Sequence, residues 1–115
     1  MELESPSDAT STVGERCCGP VVYTDVERRE AVRIAARVRA LGDPIRLQIV
    51  DVLRRQAGKV CVAELVPLFG VSQPTISHHL KVLRDAEIVA SERPGHWAYY
   101  HVVPGALDEL AAWLA

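Results

Sequence analysis

The sequence predicts a mainly α fold with a β-hairpin wing, namely a winged helix-turn-helix that dimerises through its first and last helices. Two short helical patterns are separated by a tight turn at Gly70, and a pattern of alternating apolar residues flanks the turn dipeptide Pro94-Gly95. The first and last helical patterns carry apolar stripes that a small core would not cover, which indicates a helical dimer interface. A chain of 115 residues is long enough for one such domain with a modest core.

We expect the chain to divide into a flexible N-terminal arm over residues 1–22, which carries Cys17 and Cys18, and a winged helix-turn-helix and dimerisation domain over residues 23–115. The arm is rich in Ser, Thr, Gly, Pro and acidic residues and shows little periodicity, so we expect it to be flexible. It lacks the basic and apolar regions of a secretory signal, and no apolar run approaches the ~20 residues of a membrane span. We therefore expect a cytoplasmic protein with reduced thiols.

The first two helices are delimited by capping residues. Thr24 and Glu27 match a capping box, so we expect the first helix to begin at Thr24. Gly42 ends that helix, and the second helix begins with Asp43 as its N-cap and Pro44 at its first position.

The helix-turn-helix follows, beginning with a third helix near Cys61. We expect Pro67 to limit or kink this helix, because a proline removes an interior hydrogen bond. Gly70 supplies the turn, and Ser72 caps a fourth helix. The apolar residues of the fourth helix that should point inward are Ile76, Leu80 and Leu83.

A β-hairpin is predicted over about residues 88–102, and a final helix over the stretch GALDELAAWL. We expect Trp97, Tyr99 and Tyr100 to pack on the strands. On the last helix, one face should carry Leu107, Leu110, Ala111 and Leu114.

The fourth helix is the candidate DNA-reading helix, because a helix-turn-helix places its second helix in the major groove. Its outward-facing residues should be Gln73, Thr75, Ser77, His78 and Lys81. Gln73 suits a bidentate contact to adenine, whereas Lys81 lies farther along and should meet phosphate. His79 is turned toward the core, where a structural role is expected. The alternative is that the polar side chains of this face only solvate a surface helix and do not contact DNA.

In the wing, Arg93 and His96 flank the turn at Pro94-Gly95 and are candidates for contacts to phosphate or to a minor groove, with ordinary turn polarity as the alternative. The charge distribution is less informative. Residues 26–60 hold nine Arg or Lys against four acids, while the rest of the chain is acidic and the net charge is −2. The total charge therefore neither proves nor excludes binding to nucleic acid.

Four segments, ALGDPIRLQIVDVL, CVAEL, VSQPTISHHLKVLRDAEIV and WAYYHV, resemble the ArsR/SmtB family of metal-sensing transcriptional repressors over about residues 30–104. The resemblance implies a homodimeric winged-helix protein, not an enzyme, that occupies double-stranded operator DNA and leaves it when a toxic metal or metalloid binds. It also implies that the DNA-reading positions are occupied by Gln73, Thr75, Ser77 and His78.

The cysteines match this family in part. Arsenic-responsive members often carry Cys-Val-Cys-Asp-Leu, but the second cysteine is replaced here by Ala63, so only Cys61 is kept. Other arsenic sensors of the family use an N-terminal cysteine pair with a third cysteine near the DNA-binding motif, and Cys17 and Cys18 fit that grouping. Neighbouring cysteines have Cα atoms about 3.8 Å apart, too close for a relaxed disulfide, but they can chelate one soft ion.

Cys17, Cys18 and Cys61 together offer three sulfurs, which suit the trigonal pyramid of As(III) or Sb(III). A structural zinc site usually has four ligands, and the last helix has no His for the zinc site that some family members place there. Sensing of Cd(II), Pb(II) or thiol oxidation remains the alternative. A thiol enzyme is disfavoured because the chain has no Cys-x-x-Cys and no phosphate-cradling loop, and a protein-interaction module is the third class considered.

Overall fold

The computed structural model describes residues 19–56 and 59–115. Cys17, Cys18 and most of the predicted arm therefore lie outside the described residues. In the described ranges, five helices and a three-stranded antiparallel sheet form a winged helix-turn-helix, as predicted. None of these helices is long and apolar enough to cross a membrane. The elements in chain order are α1 (Arg28–Leu41), α2 (Pro44–Arg55), β1 (Val60–Cys61), α3 (Val62–Phe69), α4 (Gln73–Asp85), β2 (Val89–Glu92), β3 (Tyr99–Val102) and α5 (Ala106–Leu114).

The prediction for the junction of α1 and α2 is confirmed, but the predicted start of α1 is wrong. Asp43 caps α2 by accepting hydrogen bonds from the backbone N–H of Ile45 at 3.0 Å and of Arg46 at 3.1 Å. The Arg46 bond is the main reason that the pKa of Asp43 is lowered. The N-cap of α1 is Glu27, not Thr24, because the Thr24 hydroxyl accepts from the N–H of Val26 at 3.1 Å in a local turn before the helix.

The turn between α3 and α4 forms at the predicted residues. Gly70 ends α3 with a left-handed φ of 65°, a conformation that glycine adopts at little cost. Pro67 does not end α3, which continues to Phe69. Because Pro67 has no backbone N–H, the carbonyl of Ala63 lacks its helical hydrogen bond. Both residues are exposed, so water can donate a hydrogen bond to this carbonyl.

The predicted hairpin is present, and the structure adds a strand that the sequence pattern did not indicate. Strands β2 and β3 pair from Val89 opposite Val102 to Glu92 opposite Tyr99, and residues 89–102 together form the wing. The added strand is β1, which pairs with the other edge of β3 and gives the order β1-β3-β2. Cys61 thereby lies opposite Tyr99.

The core lies beneath α4. The inward orientation predicted for its apolar residues is confirmed, since Ile76, Leu80 and Leu83 are completely buried. Around them lie buried side chains from α2, α3, the first residue of the wing and the residue before it, including Ile49, Leu65, Ile88 and Val89.

Two helices, α1 and α5, keep apolar side chains in solvent. Those between 45% and 62% exposed are Val32 and Val38 of α1 and Trp113 and Leu114 of α5. Only part of the predicted α5 stripe is covered, because Leu110 is buried while Ala111 and Leu114 are exposed. The two helices are joined by an ion pair between Arg33 and Glu109 at 3.0 Å, so their exposed residues belong to neighbouring surfaces.

Replacement of Leu80 by alanine should lower the free energy of unfolding by about 2–5 kcal/mol, because it leaves a cavity in a closely packed core. The matched control is Leu68→Ala on α3, where the side chain is 61% exposed and the loss should be within about 0.5 kcal/mol. Urea denaturation at one fixed protein concentration measures both. Equal losses for the two variants would contradict the assignment of the core.

Candidate nucleic-acid interface and thiol site

Apart from Pro74, the exposed side chains in the first three turns of α4 are polar. The residues predicted to face outward, Gln73, Thr75, Ser77, His78 and Lys81, are all exposed. The orientation expected from helical periodicity is therefore found, while the DNA contacts of these residues stay a prediction.

Hydrogen bonds order the N-terminal end of α4. Ser72 caps the helix by accepting from the backbone N–H of Thr75 at 3.3 Å, and the two hydroxyl groups lie 2.9 Å apart. Pro74 lies in the first turn, where its missing N–H costs no helical bond. The exposed start of a helix carries a partial positive charge and free N–H groups, which suit a phosphate oxygen.

Lys81 has a protein partner that helical periodicity did not indicate. Its ammonium group donates to Asp85, one turn later on α4, at 2.8 Å. This hydrogen bond is the main cause of the lowered pKa of Asp85. Both side chains are more than half exposed, so the ion pair is weak and a phosphate group can compete for Lys81.

The tip of the wing is exposed, and its basic residues have few partners in the described structure. Arg93 donates to the carbonyl of His96 at 3.5 Å, which bends the guanidinium over the turn. Trp97 precedes β3 and is 60% exposed, so its predicted packing on the strands is wrong, whereas Tyr99 and Tyr100 are half-buried within β3. The wing therefore presents Arg93, His96 and an aromatic ring on one exposed loop.

His79 has the structural role that was predicted for it. It is half-buried, and Arg46 of α2 donates to its Nδ1 at 3.2 Å. Arg46 also donates to the carbonyl of Ala40 at 2.7 Å, so it connects the end of α1 to α4. The contact explains why His79 points away from the exposed face that His78 shares.

Cys61 lies at a junction between the sheet and the helix-turn-helix, because it is the last residue of β1 and the N-cap of α3. It is half-buried, and its backbone N–H donates to the carboxylate of Glu64 at 2.9 Å. This bond, followed by one from the Cys61 thiol, lowers the pKa of Glu64. Glu64 was not among the predicted site residues, although the Cys-x-x-Glu spacing is that of a capping box.

Within residues 19–56 and 59–115, no group of three or more His, Cys, Asp or Glu side chains is arranged to hold a metal ion. Of the three predicted thiol ligands, the structure thus places Cys61 alone. Cys17 and Cys18 lie outside the described residues, so the predicted ligand set remains a prediction.

Comparisons with known proteins agree with this geometry. Residues 43–91 match the family described as bacterial regulatory protein, arsR family. An uncharacterised HTH-type transcriptional regulator of Methanocaldococcus jannaschii is 39% identical over 72 residues, which are 63% of this chain and 80% of that protein. The arsenical resistance operon repressor of Bacillus subtilis is 42% identical over 77 residues, or 64% of this chain and 72% of the repressor.

Among solved structures, a homodimeric winged helix-turn-helix DNA-binding domain from Mycobacterium bovis superposes with a TM-score of 0.67 at 26% identity, covering 80% of this chain and 83% of that one. The repressor BigR from Xylella fastidiosa gives 0.59 at 31% identity, covering 75% and 83%. With the buried face of α4, the exposed polar face and the wing all in place, these likenesses show that the chain belongs to the ArsR family of DNA-binding transcriptional regulators.

Proposed function

We propose that the protein is a homodimeric transcriptional repressor that reads operator DNA with α4 and the wing. We further propose that it leaves the operator when As(III) or Sb(III) binds the thiolates of Cys17, Cys18 and Cys61. The observation that carries the first part is the division of α4 into a completely buried apolar face and an exposed polar face. The second part is supported by the position of Cys61 at the entrance to the helix-turn-helix.

The exposed side chains of α4 fit the edges of base pairs in a major groove. An amide such as that of Gln73 can make a bidentate contact to adenine, and the hydroxyl groups of Thr75 and Ser77 can bond several bases. Lys81, Arg93 and His96 lie farther from the start of α4 and suit phosphate oxygens, which fix the register of the protein on the duplex. Arg93 and His96 would extend the contact from α4 to the wing.

The apolar surface of α1 and α5 supports the homodimer. Val32, Val38, Trp113 and Leu114 expose large side chains on two neighbouring helices, which share the exposed ion pair between Arg33 and Glu109. Burial of this surface against a second copy would remove it from water at a gain of about 25 cal/mol per Å². A twofold dimer presents two reading helices about one DNA turn apart, which fits a palindromic operator.

Replacement of Gln73 by alanine should weaken binding to the preferred duplex by about 1–3 kcal/mol, or roughly 5-fold to 150-fold, because a bidentate base contact is lost. The control Gln48→Ala makes the same substitution at an exposed position of α2 outside the proposed interface, and should leave affinity unchanged. Fluorescence anisotropy with a duplex selected by the wild-type protein measures both. The assignment of α4 fails if the two variants bind alike.

The arm is long enough to bring its cysteines to Cys61. Nine residues, 19–27, separate Cys18 from α1, and a chain of that length spans up to about 30 Å when extended. That reach is comparable with the diameter of a small domain, so the pair can meet Cys61 of its own chain or of the partner. The names of two relatives, the arsenical resistance operon repressors of Bacillus subtilis and Staphylococcus aureus, favour a metalloid as the inducer.

Glu64 supports a second candidate, in which the inducer is a divalent soft ion such as Cd(II) or Pb(II). Its carboxylate already lies beside Cys61, and it could add an oxygen to the three sulfurs. As(III) and Sb(III) need only the three sulfurs. Thiol oxidation is the remaining alternative. X-ray absorption of the loaded protein separates these candidates, since it counts sulfur and oxygen neighbours around the bound element.

The position of Cys61 indicates how a ligand would act on DNA binding. Cys61 begins α3, which packs on α4, and it also pairs with Tyr99 in the central strand of the sheet. A ligand that binds both the arm and Cys61 would therefore act on both of the proposed DNA-binding elements, α4 and the wing. Ligand and DNA must weaken each other reciprocally, and a coupling free energy of about 3 kcal/mol corresponds to a change in affinity of about 150-fold.

Replacement of Cys17, Cys18 or Cys61 by serine should leave operator binding within about twofold of wild type and abolish release by arsenite, because each variant removes one of three ligands. Anisotropy of the operator complex titrated with arsenite, antimonite, cadmium and zinc measures both properties. Glu64→Gln is the matched control, and it should reduce the response to cadmium only if the second candidate is correct. Normal release of all three serine variants by arsenite would refute the thiol site.

A further inference from the structure

We infer that Arg37 is a positioning residue that fixes the angle of α4 relative to α1 and α5, and thereby the separation of the two reading helices on DNA. The inference rests on the proposed function, because it takes α1 and α5 as the helices that form the dimer. It concerns a residue that contacts neither DNA nor the inducer in that proposal. Arg37 lies on α1, on a different face from the exposed apolar residues Val32 and Val38.

Arg37 is the one buried charged residue in the part of the chain that the structure describes, with 7% of its surface exposed. Its guanidinium group donates from Nε to the carbonyl of Ala86 at 3.3 Å and from Nη2 to the carbonyl of Glu87 at 3.3 Å. The third nitrogen, Nη1, donates to the carboxylate of Glu109. A buried cation is tolerated only when its donors are satisfied, and this one has a partner for each nitrogen.

Two of these partners belong to the end of the reading helix. Ala86 is the C-cap of α4, and Glu87 follows it with a left-handed φ of 62°. The last carbonyls of a helix lack helical partners and carry partial negative charge, so a guanidinium there is bound by both hydrogen bonds and the helix dipole. Arg37 therefore holds the turn through which α4 continues into the wing.

The third partner belongs to α5. The carboxylate of Glu109 accepts hydrogen bonds from Arg37 and from Arg33. Arg33 lies one turn earlier on α1 and donates through both terminal nitrogens at 3.0 and 3.1 Å. These cations lower the pKa of Glu109, with Arg33 making the larger contribution. Arg33 and Glu109 are substantially exposed, whereas Arg37 is buried. The guanidinium of Arg37 is thus the point at which α1, α5 and the end of α4 are joined.

The hydrogen bonds of Arg37 set the angle of α4 relative to α1 and α5. The spacing of the two reading helices in the dimer depends on this angle. Apolar contacts between helices have little directionality, whereas hydrogen bonds from one planar guanidinium group favour a fixed arrangement of their acceptors. Helix α4 has 13 residues and is about 20 Å long. A tilt of about 10° around Ala86 would therefore move its other end, at Gln73, by about 3 Å, which is close to the rise of one base pair.

The test uses the spacing between operator half-sites. The wild-type protein first selects its duplex from a random library, and three further duplexes are made: one with the half-sites one base pair closer, one with them one base pair farther apart, and one with a single half-site. We expect the wild-type protein to lose at least about tenfold in affinity when the spacing changes. Arg37→Met should bind the selected duplex about tenfold more weakly, discriminate less than about threefold between spacings, and bind the single half-site normally.

The matched control is Arg33→Met, which removes a neighbouring cation from the same carboxylate but touches neither carbonyl of the α4 turn. It should keep the spacing preference of the wild-type protein. Arg37→Lys should behave like Arg37→Met, because an ammonium group cannot reach three acceptors in this fork geometry. Arg37→Lys also takes the place of Arg37→Met in the comparison if the methionine variant does not fold, as judged by circular dichroism.

The inference is overturned if the Arg37 variants lose affinity equally for all four duplexes, because a residue that only stabilises the fold lowers the active fraction without changing the preference. It is also overturned if Arg33→Met loses the spacing preference to the same extent. A wild-type protein that selects no duplex would instead refute the proposed function and with it this inference. A wild-type protein that binds but ignores spacing refutes the inference alone.

Discussion

The structure depends on the complete burial of three aliphatic side chains, Ile76, Leu80 and Leu83, on one face of α4. The elements that pack most closely against this helix are α1, α2, α3 and β2. A rotation of α4 about its axis would bring these apolar side chains into water at a cost of about 1.5–3 kcal/mol each. The polar side chains of α4 can therefore face only one way, and the surface that we propose to bind DNA is set by the core.

The sequence predicted the parts of the fold that depend on local chemistry. Asp43, Gly70 and Ser72 lie at helix boundaries because their side chains or backbone freedom satisfy local hydrogen bonds and dihedral angles. The start of α1 was misplaced because the Thr24 hydroxyl can accept a hydrogen bond either as a helix N-cap or in a local turn. It accepts from the N–H of Val26, in the turn before the helix. Strand β1 was missed because its two residues form a strand only by pairing with β3, almost forty positions later.

The candidate site shows the same division between local and tertiary information. Helical periodicity was enough to predict which side chains of α4 are exposed, but not that Lys81 pairs with Asp85. Arg37 shows the limit most clearly, because an arginine on an amphipathic helix normally lies in solvent. Its burial depends on two carbonyls some 50 residues later and on a carboxylate in the last helix, at Glu109. No pattern within α1 contains that information.

Helix α4 is thus constrained differently at its two ends. Its C-terminal end is held by the guanidinium of Arg37, while its N-terminal end follows the turn from α3, the helix that Cys61 begins. If the inducer binds at Cys61 as proposed, its effect on α4 enters at the N-terminal end and is opposed by the hydrogen bonds of Arg37 at the C-terminal end. Displacement is then largest at Gln73, which we propose to contact bases, and smallest at Ala86. A small rearrangement around one thiol would in this way displace mainly the residues that we propose to contact DNA.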